Sequence, residues 1–355
     1  MRTKSRRLSV DKLFVLGAGA SFSATRPNAR YTSEFPPYKQ TPLDRHFTRV
    51  LSKLVSKQSI WVNESVKVIN KSWRDHIDFS SLGLEEAILT QAANMEFTSA
   101  IRPRRRRNSI KFDEYMNHLV HIAAFYLRRA RQGTEGIYDK FVEEYFENDR
   151  TSNRIITFNY DDVLDKVLAE NFSLKDIYFT ELKPSQNGEV EPEGSDFPIL
   201  LKLHGSVNWN CSSDDFSKII TQDWDGQDPY FIENIWFRKT GCPKPNDGVS
   251  PCIIPPIEAK PITSISLFRF LWARACEYLH ECRKLYVCGY SLPPTDALAA
   301  SLFKEFNNRS LETVTVIDPD PLVMTKWRML LSRKNVSNVQ WTYFADFAEF
   351  VNSVQ

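Results

Sequence analysis

IITFNYDDVLD, residues 155–165, is an apolar run that stops at Asn159 and then passes through Tyr160 into two carboxylates, Asp161 and Asp162. A strand that delivers an amide and paired acids to the point where it leaves a sheet sets up chemistry there. Comparable short runs recur along the chain: KLFVLG at 12–17, PILLKLHG at 198–205, KLYVCGY at 284–290, TVTVID at 313–318 and VQWTYF at 339–344. Continuous apolar runs of this length suit strands buried on both faces. Helical patterns follow several of them, at 161–171, 295–308 and 320–334. Strand then helix, repeated, predicts an α/β fold: a Rossmann-like parallel sheet flanked by helices and joined by right-handed crossovers.

Two insertions interrupt this pattern. Residues 26–150 contain no clear strand, and LEEAILTQAANMEF and FDEYMNHLVHIAAFYLRRA within them have helical periodicity, which predicts a mostly helical subdomain. Residues 211–262 are rich in prolines, acids and aromatics and predict a loop-rich layer over the sheet edge. At 355 residues the chain suits either one large α/β domain, 1–355, carrying these two insertions, or two ordinary domains.

The totals exclude several classes. A hydrophobic share of 42% rules out a disordered chain, and a formal net charge of +2 gives no global attraction to nucleic acid or membrane. No stretch approaches the roughly 18 apolar residues needed to span a bilayer. The opening MRTKSRRLSVDKLFVLGAGASFSA imitates an export signal, but Asp11 and Lys12 interrupt its apolar part. The six cysteines include no CxxC pair, so reduced thiols in a cytoplasmic protein are expected and a cysteine-held metal is not. His118 and His121 with Glu114 on one apparent helix raise a metal site, yet Leu119, Ile122 and Ala123 read as an ordinary buried stripe. Arg102 and Arg104, Arg105, Arg106, Arg107 form a cationic run that suits either a phosphate or nucleic-acid contact or a solvated loop.

The strand endings carry the candidate site. Gly17, Ala18, Gly19 and Ser21 close the first strand; glycines there let backbone approach a phosphate, with N–H groups of the next helix turned to the anion. Phe22 replaces the third glycine of the dinucleotide fingerprint, so a tight turn is the competing reading. Asp161 or Asp162 suits a helix cap, which leaves Asn159 unexplained. His204, followed by Gly205, ends another strand; alone it reads as a structural histidine, but ligands in open parallel sheets bind beyond the carboxyl ends of strands. Gly289, Ser291, Asp296 and Asp318 complete the set, Asp318 as a ribose acceptor or as a cap for the helix near Pro321.

Taken together, GAGAS at 17–21, TFNYD at 157–161, LHGS at 203–206, GYSLPPTD at 289–296 and VIDPD at 316–320 resemble the glycine, catalytic and ribose-binding segments of the sirtuin-like family. FNYDD and GYSLPPTD are closer to the bacterial sirtuin-like NAD hydrolases of anti-phage defence than to protein deacylases. The chain lacks the deacylases' four-cysteine zinc module and has FSATRP at 22–27 in place of their GIPDFR-like loop. The resemblance implies NAD as substrate, with Asn159 orienting water or a ribose hydroxyl, Asp161 holding the carboxamide and His204 accepting a proton. It implies a pyrophosphate on Gly17, Gly19 and Ser21 and a ribose on Ser291 and Asp318. It also implies a homo-oligomer and a partner ATPase or helicase of the same defence system. ADP-ribose transfer to protein, deacylation, and a non-catalytic sensor of NAD or ADP-ribose are the competing activities.

Overall fold

The computed structural model describes residues 9–26, 47–48, 50–51, 60–73, 88, 90–91, 93, 112–147, 152–178, 181–184, 190–193, 197–211, 250–254, 266–294, 296–305, 308–331 and 339–353. The arginine run at 102–107 and most of 211–262 lie outside these residues. Strand β1 (Val10–Leu16) leads into helix α1 (Ala18–Ala24). Helices α2 (Ile60–Trp73), α3 (Phe112–Leu127) and α4 (Ile137–Val142), the last continuing into a π turn at Glu143–Glu147, precede β2 (Arg154–Thr157). Among the described residues of 26–150, then, the chain is helical and forms no strand.

After β2 come α5 (Val163–Asn171), α6 (Leu174–Ile177), a hairpin of β3 (Glu181–Pro184) and β4 (Val190–Glu193), and β5 (Leu200–Lys202). Strands β6 (Gly205–Cys211) and β7 (Ser250–Ile253) follow, then α7 (Ser266–Glu281) and β8 (Cys282–Cys288). The chain closes with α8 (Ala297–Lys304), β9 (Thr313–Ile317), α9 (Leu322–Leu331), β10 (Gln340–Phe344) and α10 (Phe347–Asn352). Six strands form one parallel sheet in the order β10-β9-β8-β1-β2-β5. From β1 the strand order runs outward in both directions, so the topological switch point, where ligands bind in sheets of this kind, lies between β1 and β8. With right-handed crossovers, α1, α4 and α5 cover one face, and α7, α8 and α9 the other.

Each face buries an aromatic cluster. On the first, Phe14 packs edge-on to Phe141 at 4.9 Å and stacks on Tyr286 at 4.7 Å between ring centroids. On the second, Phe158 stacks on Tyr290 at 4.3 Å, and Phe303 meets Trp327 edge-on at 4.7 Å. Such pairs add roughly 0.5–1.5 kcal/mol each beyond their buried area. No helix among the described residues is long and apolar enough to cross a membrane.

PILLKLHG is not one strand, as the apolar run predicts. Pairing with β2 ends at Lys202, and Gly205, at φ +78°, redirects the chain into a separate antiparallel pair with β7. Part of the predicted loop-rich insertion is therefore strand, at Ser250–Ile253.

At the switch point the loop after β8 crosses the first turn of α1 in direct backbone contact. A Cβ on Gly17 would lie 2.4 Å from the Gly289 carbonyl oxygen, and one on Gly289, whose φ is +61°, would lie 2.3 Å from the Ala20 nitrogen. Gly289→Ala therefore combines left-handed strain with an overpacked crossing, and we expect it to cost roughly 1–3 kcal/mol or more in denaturant unfolding. An unchanged unfolding midpoint would contradict this packing.

Candidate active site

Strand register levels the site. Lys202, Thr157, Leu16, Cys288, Ile317 and Phe344 form one row across the sheet. Gly17, Gly289 and Asp318 each stand one residue beyond that row, and Asn159 and His204 stand two beyond it on neighbouring strands about 4.8 Å apart. The chain thus brings five strand endings to a single edge.

Asn159 is half-buried and its side chain is turned toward β1. Its Nδ2 donates to the Gly17 carbonyl at 2.9 Å and to Ser21 Oγ at 3.0 Å. A carbonyl accepts only, so the amide nitrogen must face Gly17, and both of its hydrogens are engaged. What Asn159 presents to a ligand is its carbonyl oxygen, an acceptor.

Ser21 is the hub of this group. Its Oγ also lies 2.9 Å from the Tyr138 hydroxyl of α4, and it hydrogen-bonds the Asp161 carboxyl. A hydroxyl has one hydrogen to give and two lone pairs. Ser21 therefore donates to Asp161 and accepts from Asn159 and Tyr138. Asp161 is buried, and loss of hydration raises its pKa, with Asp165 adding to the rise; Lys202 and hydrogen bonds from Ser21 and the Val163 amide oppose it. Burial, followed by the negative field of Asp161, pushes the Tyr138 phenol well above its ordinary value, so it remains a donor.

Lys202, only 1% exposed, lies beneath the network. Its Nζ donates to the Asp161 carbonyl and pairs with Asp165 Oδ2 at 2.9 Å, while Tyr178 donates to the other Asp165 oxygen. A lysine this deep is almost always paired. Its position inside an apolar strand run was the available signal, one the reading of PILLKLHG passed over. Tyr138 had no such signal, since GIYDKF at 136–141 reads as an ordinary helix start.

His204, 6% exposed, faces the other side of the edge. Its ring meets Phe158 edge-on at 5.2 Å, stacks near Tyr160 at 6.2 Å and lies 6.3 Å from Trp272. The imidazole is thus held by the two rings flanking Asn159, and none of the Asn159 hydrogen bonds reaches it. The site has two halves, an amide–hydroxyl–carboxylate group and an imidazole group, joined through 158–160.

Other predicted residues take different places. The Gly17 and Gly19 amides donate to the Cys288 and Gly289 carbonyls, so these two N–H groups are not turned to an anion as the glycine motif predicts; the loop crossing uses them. Ala18 and Gly19 are partly exposed beside it. Asp162 occupies the cap position of α5 but pairs its carboxylate with Lys166 at 2.6 Å instead of capping. Ser291 is exposed. Asp318 Oδ1 accepts from the Asp320 amide at 2.9 Å, and burial raises its pKa; it is Asp320, not Asp318, that accepts from the Leu322 amide at the start of α9. Asp296 is 4% exposed and lies with His204, not toward solvent. His118 bonds Ser65 at 2.8 Å and His121 the Asn117 carbonyl at 2.8 Å, both on the helical insertion.

Residues 153–240 match the family model of a SIR2-like domain. The matched stretch contains Asn159, Asp161 and His204, in keeping with the resemblance of TFNYD and LHGS. Among solved structures, a Sir2 homologue in complex with NAD aligns over 98% of this chain and 88% of its own, at 13% identity and a TM-score of 0.44. A structure described as the structural basis of sirtuin substrate affinity aligns over 98% and 93%, at 14% identity and a TM-score of 0.39. No curated protein matches.

The raised pKa of Asp161 has a stability consequence of definite sign. The folded state binds the Asp161 proton more tightly than the unfolded chain, so burial of this carboxylate costs stability in full above its raised pKa, less as pH falls below it, and nothing below the ordinary 3.8, where both states are protonated. Asp161→Asn, which keeps the acceptor for the Val163 amide, should melt at or above the wild-type temperature near neutral pH. The difference should vanish as pH falls through the raised pKa toward the ordinary 3.8. A variant that is less stable at neutral pH and gains on acidification would contradict the assignment.

Proposed function

We propose that the chain is an NAD glycohydrolase that cleaves the nicotinamide–ribose bond to give nicotinamide and ADP-ribose. The observation that carries this is the acceptor face of Asn159, fixed by two hydrogen bonds, standing in the same row as a buried histidine on the next strand. Cleavage builds positive charge on the sugar, in an oxocarbenium-like transition state. The bond's electron pair goes to the pyridinium nitrogen, so nicotinamide leaves neutral and needs positioning more than protonation. A water whose hydrogen is accepted by the Asn159 carbonyl oxygen is oriented toward the sugar carbon, and its oxygen forms the new bond. His204 accepts the proton that this water loses, near the neutral pH where an imidazole serves best, and releases it to solvent. The Asp161 backbone and carboxyl stand beside Asn159, where the family pattern puts the carboxamide contact, while the partly exposed Ala18 and Gly19 would face the pyrophosphate and Ser291 and Asp318 the ribose.

The wording of TFNYDD and GYSLPPTD supports a role for this hydrolysis in depleting NAD during anti-phage defence, within the cytoplasm and in an assembly that holds the activity in check. Water is favoured over a protein acceptor because GIPDFR and the zinc module are missing. Purified Asn159→Ala and His204→Ala should keep the wild-type circular dichroism and lose about 100-fold or more of nicotinamide release from NAD. Full activity in both variants would refute these roles. Labelled protein or acyl-ADP-ribose in place of free ADP-ribose would refute hydrolysis.

A further inference from the structure

Asp296 lies where the chain enters α8, and one bond accounts for its presence there: Oδ1 accepts from the Ala299 amide at 3.4 Å, as a helix cap does. Serine, threonine or asparagine would serve that purpose without charge. The second oxygen does something else. Oδ2 accepts from the Tyr290 hydroxyl at 3.0 Å and lies 3.6 Å from His204 Nε2. Carboxylate and imidazole are 4% and 6% exposed, so neither is hydrated enough to screen the other. A buried carboxylate is expensive unless a cation or hydrogen bonds compensate it. At 3.6 Å the contact is an ion pair in waiting, longer than a hydrogen bond, and it strengthens when the ring gains a proton.

We propose that Asp296 is the positioning residue for His204, orienting the imidazole and stabilising the imidazolium that forms when His204 takes up a proton. This rests on the reading of His204 as the proton acceptor. Both partners are fixed by independent elements. Phe158, Tyr160 and Trp272 hold the ring in place, and the Ala299 amide and Tyr290 hydroxyl hold the carboxylate. Among the described residues, Tyr290 from the end of β8 faces this pair with its hydroxyl given to Asp296, and Tyr160 after β2 faces it with its hydroxyl donated to the Ile254 carbonyl. Phe158 and Trp272 bring no charge, and the Asp296 carboxylate stands 3.6 Å from the ring nitrogen. A direct cofactor contact by Asp296, as its place in the cofactor-binding set implies, conflicts with this geometry, because both of its oxygens are engaged.

The test is a histidine-ring NMR titration of the full chain across roughly pH 5 to 9, the range in which imidazoles ionise. His204 is identified among six histidines by the signal missing in His204→Gln. In Asp296→Asn, we expect the proton affinity of His204 to fall about tenfold or more, as removal of an adjacent opposite charge requires. Asp296→Ser keeps a good helix cap and should behave alike if the amide variant folds poorly. With NAD, both variants should lose kcat while keeping KM. An unmoved His204 titration overturns the proposal, as does a raised KM with unchanged titration, which would restore a direct cofactor contact. A wild-type chain that releases no nicotinamide would refute the hydrolase reading, and the titration would still decide whether Asp296 governs His204.

Discussion

The site depends on a backbone crossing. The loop leaving β8 runs over the first turn of α1 so closely that hydrogens are all that fit at positions 17, 19 and 289. Amides of the same residues tie the crossing together, Gly17 to the Cys288 carbonyl, Gly19 to Gly289, and Gly289 to Ile317. This contact sets the height of α1 above the strand ends, and with it the place of Ser21. From Ser21 the geometry passes to Asn159, Asp161 and Tyr138 through hydrogen bonds that exhaust the hydroxyl's capacity. A side chain at the crossing would move one end of that chain of contacts, because packed interiors give little.

Two kinds of buried charge then divide the edge. Toward α1 and α5, Asp161 is kept in a dry environment against the tendency of burial to protonate it, with Lys202 beneath it bridging to Asp165. Toward α7 and α8, His204 and Asp296 share a pocket walled by aromatic rings. A charge of either kind left alone in such surroundings is costly, and removing one partner of a buried pair commonly destabilises by about 3–5 kcal/mol. The two halves are linked by Phe158-Asn159-Tyr160, three successive residues of which the outer two touch the imidazole and the middle one faces the serine.

The sheet was legible because each parallel strand is a short apolar run closed by a polar or small residue, and such runs suit strands buried on both faces. The ends of KLFVLG, IITFN and KLYVCGY lie within a residue or two of the strand ends observed. Strand β7 was not legible, since its SPCI at 250–253 is too short and too proline-marked to stand out from the stretch around it. Asn159 and His204 could be singled out because strand endings converge in any parallel sheet. The direction each side chain takes could not, because it follows from alternation beyond the last paired row and from which helix lies on which face. For that reason Asp296 reads as one of the cofactor-binding residues while the fold seats it against His204, and Tyr138 carries no local mark at all, whereas the one mark of Lys202 is its place inside an apolar run.

If these endings form one nucleotide site across the β1/β8 switch point, a crystal structure of the full chain with ADP-ribose will show the ligand there. We expect the pyrophosphate beside Ala18 and Gly19, and the distal ribose within hydrogen-bond reach of the Asn159 carbonyl oxygen. Density for the ligand at the opposite edge of the sheet, or over the helices of 60–147 with the strand ends untouched, would contradict it.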